Sequence, residues 1–330
     1  MENVAYYFGS ATIYRSGMLV ALGVLVAALC MIFLWKSIGG KLYSVNCFLV
    51  LSLMLGTLGS RLVYWYCCYE QYDSIFSAIF SVGHGGFSIF GAMIGVLLSA
   101  LILCAMRIVN DMTRLFDCIA PSGALAIAIG RLAGFFTADD KAKTFNEGAL
   151  PQGFPFSVKV VNEVTGTSEW RFPTFFYESL AAAAIFMMCI FLFNAVYFKR
   201  TIRKGVVFWI FLSFYGATQA VLESTRYDAL FLHSNGFLSL MQMACAAMLL
   251  VSIVVVGIKG LRSLDRKNPT FLFISTLALM GAAGYLEYYV QRHGSLSVSI
   301  YPIMFACLLA VSIITFIYTM QTQKGIRDDY

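Results

Sequence analysis

The sequence predicts an all-α polytopic membrane protein: a seven-span core followed by two extra C-terminal spans, with the N-terminus outside and the C-terminus cytoplasmic. Three observations carry this. Hydrophobic residues make up 60% of the chain and charged residues only 12%, against roughly half and a quarter in soluble domains. Apolar runs of about 20 residues, the length that crosses a hydrocarbon core of roughly 30 Å as a helix, recur along the chain. The Lys and Arg residues between those runs alternate between dense and sparse loops.

The runs place nine spans at 16–35, 43–66, 88–108, 116–136, 174–198, 205–223, 237–258, 270–290 and 297–320. One set of loops holds Lys36 and Lys41, then Arg107 and Arg114, then Lys199, Arg200, Arg203 and Lys204, then Lys259, Arg262, Arg266 and Lys267, and in the tail Lys324 and Arg327. The other set holds Arg15, the widely spaced Lys141, Lys143, Lys159 and Arg171, then Arg226 and Arg292. Cytoplasmic loops carry the excess of positive charge, which fixes the orientation. The formal net charge of +6 is thereby explained by topology, and no nucleic-acid partner is needed. The nine cysteines show no metal-ligand spacing and no disulfide framework, and most lie within or beside spans as small apolar residues.

Two segments break the pattern of short connections. Residues 67–87 include a glycine-rich stretch with Gly83, Gly85 and Gly86, which suits a membrane-dipping loop. Residues 137–173 form an outer loop far longer than an ordinary connection, and its apolar stretches argue for a small folded head. Residues 1–258 are read as the core and 259–330 as a two-span extension.

Ionisable side chains inside apolar runs locate the site, because a charge there is costly unless it faces a cavity, a partner or an anionic ligand. Arg131 sits in the run 121–136, Arg61 interrupts 46–66, Glu178 opens 175–198, and Glu223 closes 206–222. The alternative is that these residues pair only to lock helices together. For Arg61, near the outer end of its span, snorkelling to the headgroup region is a further alternative.

The order of short motifs then becomes informative. Gly59-Ser60-Arg61-Leu62 with Tyr64; Gly85-Gly86-Phe87-Ser88 with Gly91 and Gly95; Gly130-Arg131-Leu132 with Phe135; Pro173-Thr174 with Tyr177-Glu178; Tyr215-Gly216 with Glu223 and Arg226; and Gln242 before an apolar run follow one another in register. Over roughly residues 14–258 this pattern resembles the prolipoprotein diacylglyceryl transferase family.

That resemblance implies transfer of the diacylglyceryl group of phosphatidylglycerol to the thiol of a lipobox cysteine in a preprolipoprotein, at the outer face of a bacterial cytoplasmic membrane. The nucleophile belongs to the substrate, so no Ser or Cys nucleophile and no cofactor is called for. A thiol must lose its proton to attack, which requires a base. The departing phosphate needs cations, best supplied by the planar fork of Arg. The expected substrate-binding residues are Arg131, Arg61, Arg226, Tyr14 and Tyr177; the expected catalytic residues are His84, Glu178, Glu223 and Tyr215.

The chain departs from the family pattern at four polar positions. The family's typical histidine falls on Phe90, an Asn after Gly-Arg-Leu-Gly is absent from Ala133-Gly134-Phe135, the His before Pro-Thr is Phe172, and an Arg four residues after the Tyr of Tyr-Gly is Gln219. His84 is assigned the base role because it lies in the same glycine-rich loop as the missing histidine. The competing reading is a non-catalytic phospholipid- or partner-binding paralogue.

Overall fold

The computed structural model describes residues 4–8, 11–72, 74–80, 86–137, 151–161, 168–226, 229–232, 235–261, 269–293 and 300–322. Among them, helices follow in the order α1 (Arg15–Ser37), α2 (Leu42–Cys67), α3 (Ile75–Phe80), α4 (Ile89–Ala105), α5 (Met112–Arg131), α6 (Thr174–Tyr197), α7 (Val206–Ser224), α8 (Leu240–Leu261), α9 (Thr270–His293) and α10 (Ile300–Thr322). Eight helical segments are long and apolar enough to cross a membrane; α5 counts among these with the 3-10 turn Leu132–Phe135 that follows it. The chain is a multi-pass membrane protein.

The third predicted span, 88–108, is shorter than expected. Helix α4 has 17 residues, about 26 Å at the helical rise of 1.5 Å per residue, against a hydrocarbon core of roughly 30 Å. Its end is set by the backbone: Arg107 adopts φ +59°, a left-handed conformation that a continuing right-handed helix cannot contain.

Three antiparallel hairpins accompany the bundle. They are β1 (Val4–Phe8) with β2 (Ala11–Tyr14), β3 (Val158–Val161) with β4 (Ser168–Arg171), and β5 (Phe231–Leu232) with β6 (Asn235–Ser239). Each leads directly into the start of a helix, α1, α6 and α8 respectively, so all three lie at one end of the bundle. In the long loop the described residues include the β3–β4 hairpin.

Helix α7 is the centre of the bundle and α1 is at its edge: 72% of the most apolar window of α7 is buried, against 17% for α1. One apolar cluster gathers residues of α1, α2, α4, α5, α6, α7 and α8, including Leu115, Ile185, Phe193, Val207 and Ile210. A second gathers Val221, Leu249, Leu272, Met304 and Val311 between α7, α8, α9 and α10. Met18, Leu25, Leu29 and Phe33 of α1 remain exposed, as the lipid-facing side of a span requires.

The α2–α4 pair shows why small residues are needed where spans pack closely. A Cβ at Gly91 would collide with the carbonyl of Gly59, and one at Gly95 with the carbonyl of Leu55. The glycines let the two backbones approach, which is the general device for helix association in lipid.

At the opposite end of the bundle, buried Asp117 of α5 caps α7. Its carboxylate accepts hydrogen bonds from Gly205 N at 2.6 Å, Phe208 N at 3.1 Å and the Tyr197 hydroxyl at 2.9 Å. A carboxylate there satisfies backbone donors that the helix start leaves free and complements the positive end of the helix dipole.

Candidate functional site

Five side chains meet where α5 ends, α6 begins and α7 ends. Gln219 and Glu223 stand four residues apart on α7 and so share a face, while Arg226 lies just beyond the end of that helix. Arg131 closes α5, and Glu178 sits in the second turn of α6. The hydroxyls of Thr174 and Thr225, 3.0 Å apart, tie the start of α6 to the end of α7.

Glu178 is the hub. Its Oε2 lies 3.2 Å from Arg131 Nε, and its Oε1 accepts from Gln219 Nε2 at 2.6 Å. Arg226 Nη1 lies 3.5 Å from both Glu178 oxygens. Glu223 accepts from Gln219 at 3.3 Å and faces Arg226 Nε at 3.6 Å. Two cations thus balance two anions, with side-chain exposures of 10% for Arg131, 1% for Glu178, 9% for Arg226 and 6% for Glu223. Charges this deep stay together because separating a buried pair costs about 3–5 kcal/mol.

The cluster is not closed on itself. Arg131 Nε makes an ion pair with Glu178 without hydrogen-bond geometry, and among the described residues its two Nη groups meet no acceptor. Tyr215 is buried, and its hydroxyl has no hydrogen-bond partner among the described residues. The same hydroxyl lies within Coulombic reach of Arg131, Glu178 and Glu223. Gly216 follows because α8 passes close behind: a Cβ there would meet the carbonyl of Cys245 at 2.8 Å. A buried hydroxyl and a guanidinium whose Nη groups meet no acceptor among the described residues form a donor set that suits an anionic, oxygen-rich ligand.

Next to Arg131 in the chain, Leu132 helps line an apolar cavity of about 300 Å³ with Leu19, Phe135, Phe154, Phe175 and Phe176. A polar clamp therefore adjoins a wholly hydrophobic recess.

Arg61 forms a second centre. It is buried, donates from Nη1 to the carbonyl of Gly86 at 2.8 Å, and places its guanidinium 5.0 Å above the ring of Phe87. Gly86 adopts φ +80°, and a Cβ there would press on the Tyr64 ring at 2.6 Å, so only glycine suits the turn. Ser88 N donates to Ser60 O, which clamps the loop to α2. With 4% exposure, Arg61 is a buried residue and not a snorkelling one.

The expected site residues thus divide. Arg131, Glu178, Glu223, Arg226 and Tyr215 come together. Tyr14 stands at the start of α1, 41% exposed, and Tyr177 stacks flat on Phe172 at 4.6 Å. Neither contacts the charge cluster among the described residues. His84 lies outside the described residues. Gln219 is the residue that motif comparison undervalued: its amide joins the two carboxylates, and its position one turn before Glu223 was the signal.

Fold and site together define a polytopic helical membrane protein with a buried arginine–carboxylate cluster beside an apolar recess. The family model described as prolipoprotein diacylglyceryl transferase matches residues 3–258, and the chain belongs to that family. It is 29% identical over 267 residues to phosphatidylglycerol–prolipoprotein diacylglyceryl transferase 1 of Clostridium perfringens, covering 79% of this chain and 96% of the relative. A similarly named protein of Staphylococcus aureus is 23% identical over 256 residues, 78% of this chain and 88% of its own. One from Clostridium botulinum is 29% identical over 236 residues, 71% and 89% respectively.

Proposed function

We propose that this chain transfers the diacylglyceryl group of phosphatidylglycerol to the lipobox cysteine of preprolipoproteins, at the outer face of a bacterial cytoplasmic membrane. The observation that carries this reading is the pairing of an Arg131 guanidinium that faces Glu178 at one edge with a Tyr215 hydroxyl that has no hydrogen-bond partner among the described residues. Family membership and the relatives' names supply the reaction class.

In this reaction the cysteine sulfur attacks the glyceryl carbon bonded to the phosphate oxygen. A C–S bond forms, that C–O bond breaks, and glycerol phosphate leaves with the electron pair. Arg131, with Arg226 nearby, neutralises the charge that grows on the phosphate, and Tyr215 donates to one of its oxygens; such preorganised donors are worth about 10²–10³ in rate each. The recess lined by Phe135, Phe154 and Phe176 suits an acyl chain of the donor. Glu178 and Glu223 hold the arginines in place. The thiol proton goes to His84, a role that rests on its place in the sequence.

The test is direct. Purified protein in phosphatidylglycerol-containing vesicles should move labelled diacylglycerol onto a lipobox peptide, with release of glycerol phosphate in equal amount. A protein that binds phosphatidylglycerol but leaves the peptide unmodified overturns the transferase reading in favour of a lipid-binding paralogue.

A further inference from the structure

The two helices beyond the family match bring a buried carboxylate to the same end of the bundle. Glu287 of α9 is 5% exposed and accepts hydrogen bonds from three uncharged donors. Ser224 Oγ donates to its two oxygens at 3.1 and 2.9 Å, Gln242 Nε2 at 3.1 Å and Gln291 Nε2 at 2.8 Å. Tyr301 of α10 reaches the same serine.

Two of these donors belong to the core and tie Glu287 to α7 on either side of Glu223. Ser224 follows Glu223 directly. Gln242 also donates to the carbonyl of Ala220, the residue after Gln219, at 3.5 Å. Gln242 is itself fixed by a capping box: its Oε1 accepts from Ser239 N at 3.0 Å, and its backbone N donates to Ser239 Oγ at 3.1 Å. The last turn of α7 therefore presents Gln219 and Glu223 to the Glu178 cluster and, about 100° further round the helix, Ser224 to Glu287.

Adhesion of the extension does not call for a carboxylate. Leu272, Met304, Leu308 and Val311 already bury an apolar seam, and Ser312 of α10 bonds Ser213 of α7 at 3.1 Å, about 16 Å along the helix from Ser224. A buried acidic group costs desolvation that an apolar residue would avoid, so its presence asks for a second role.

We infer that Glu287 is a positioning residue, by which the C-terminal extension locks the end of α7 and so sets Gln219, Glu223 and Arg226 around the phospholipid headgroup. The inference rests on the functional reading above. Glu287 lies beyond residue 258, where the family match ends.

The experiment uses the full chain in nanodiscs. It measures binding of fluorescent phosphatidylglycerol and, with a lipobox peptide, kcat and KM for Glu287→Ala, Glu287→Gln, Ser224→Ala and the docking control Ser312→Ala. Coupling between contacting residues predicts that Glu287→Ala weakens binding and raises KM by about tenfold, and that on a Ser224→Ala background it adds less than about twofold. Glu287→Gln, which keeps an acceptor oxygen, recovers most of the loss, and Ser312→Ala leaves both constants near wild type. Should Glu287→Ala fail to accumulate, Ser224→Ala removes a single hydroxyl and carries the same expected direction. Unchanged binding and KM in Glu287→Ala, or an equal shift in Ser312→Ala, overturns the inference. If the wild type binds lipid without transferring it, the transferase reading fails alone, and the binding ratios still decide the role of Glu287. A wild type that does neither overturns both.

Discussion

Gln219 donates its amide to Glu178 at 2.6 Å across the α6–α7 interface, and from the same nitrogen reaches Glu223 one turn further along its own helix at 3.3 Å. One neutral side chain thus keeps two carboxylates at fixed separation while two arginines compensate their charge. Replacing it by Leu, similar in size, removes the bridge and leaves the carboxylates to repel. Gln219→Leu should lose about 1–3 kcal/mol of stability, read from denaturation in detergent; a change within measurement error would show that the bridge is dispensable.

Arg131 makes the sharpest chemical distinction. Arg131→Lys keeps a cation for Glu178 but gives up the Nη pair, so transfer should fall about a hundredfold while the protein stays folded. Arg131→Ala should in addition destabilise, towards the lower end of the 3–5 kcal/mol typical of a broken buried pair, because Arg226 still faces Glu178. Wild-type turnover by a folded Arg131→Lys protein would remove Arg131 from the phosphate site.

Tyr215→Phe separates function from stability. The hydroxyl has no protein partner among the described residues, so deleting it should leave stability unchanged or slightly raised, since an unsatisfied buried donor is a cost. Turnover should fall at least tenfold if the hydroxyl serves the transition state. A variant equal to wild type in both respects would assign Tyr215 to packing.

Gly95→Ala tests the α2–α4 contact. Its methyl would meet the carbonyl of Leu55, whereas one at Gly123 would meet nothing within 4 Å. Overpacking of this kind costs about 1–3 kcal/mol, so Gly95→Ala should lower the melting temperature and Gly123→Ala should not. Equal melting temperatures would contradict the close packing.

The side of the membrane on which the site opens can be read by labelling. A membrane-impermeant maleimide should reach Lys159→Cys in intact cells and Lys204→Cys only after permeabilisation, as the Lys and Arg distribution requires. The reverse pattern would turn the site towards the cytoplasm and exclude the proposed chemistry.

The spans were legible in the sequence because a bilayer imposes length and hydropathy on any helix that crosses it. The early stop of α4 was not, since it depends on the backbone angle at Arg107. Strands of two to five residues carry too little alternation to announce themselves, which hid the three hairpins. Embedded charge singled out Arg131, Glu178 and Glu223, which the fold brings into one cluster. Gln219 looked like a loss because it was compared with a family residue instead of being placed on the face of α7. Glu287 escaped notice because its core partners, Ser224 and Gln242, lie 63 and 45 residues away, and no local pattern links them.

The Asp117 cap has a bearing on the site although it lies at the other end of the molecule. Helix α7 is a rigid rod, and Asp117 pins its first turn through Gly205 and Phe208. From Phe208 to Glu223 the rod rises about 22 Å at 1.5 Å per residue. The altitude of Gln219 and Glu223 relative to Glu178 and Arg131 is therefore set from below, as the height of a piston head is set by its crank. A slip of one helical turn, about 5.4 Å, would carry Glu223 past Glu178 altogether, and the two hydrogen bonds from Gly205 and Phe208 to Asp117 oppose that slip.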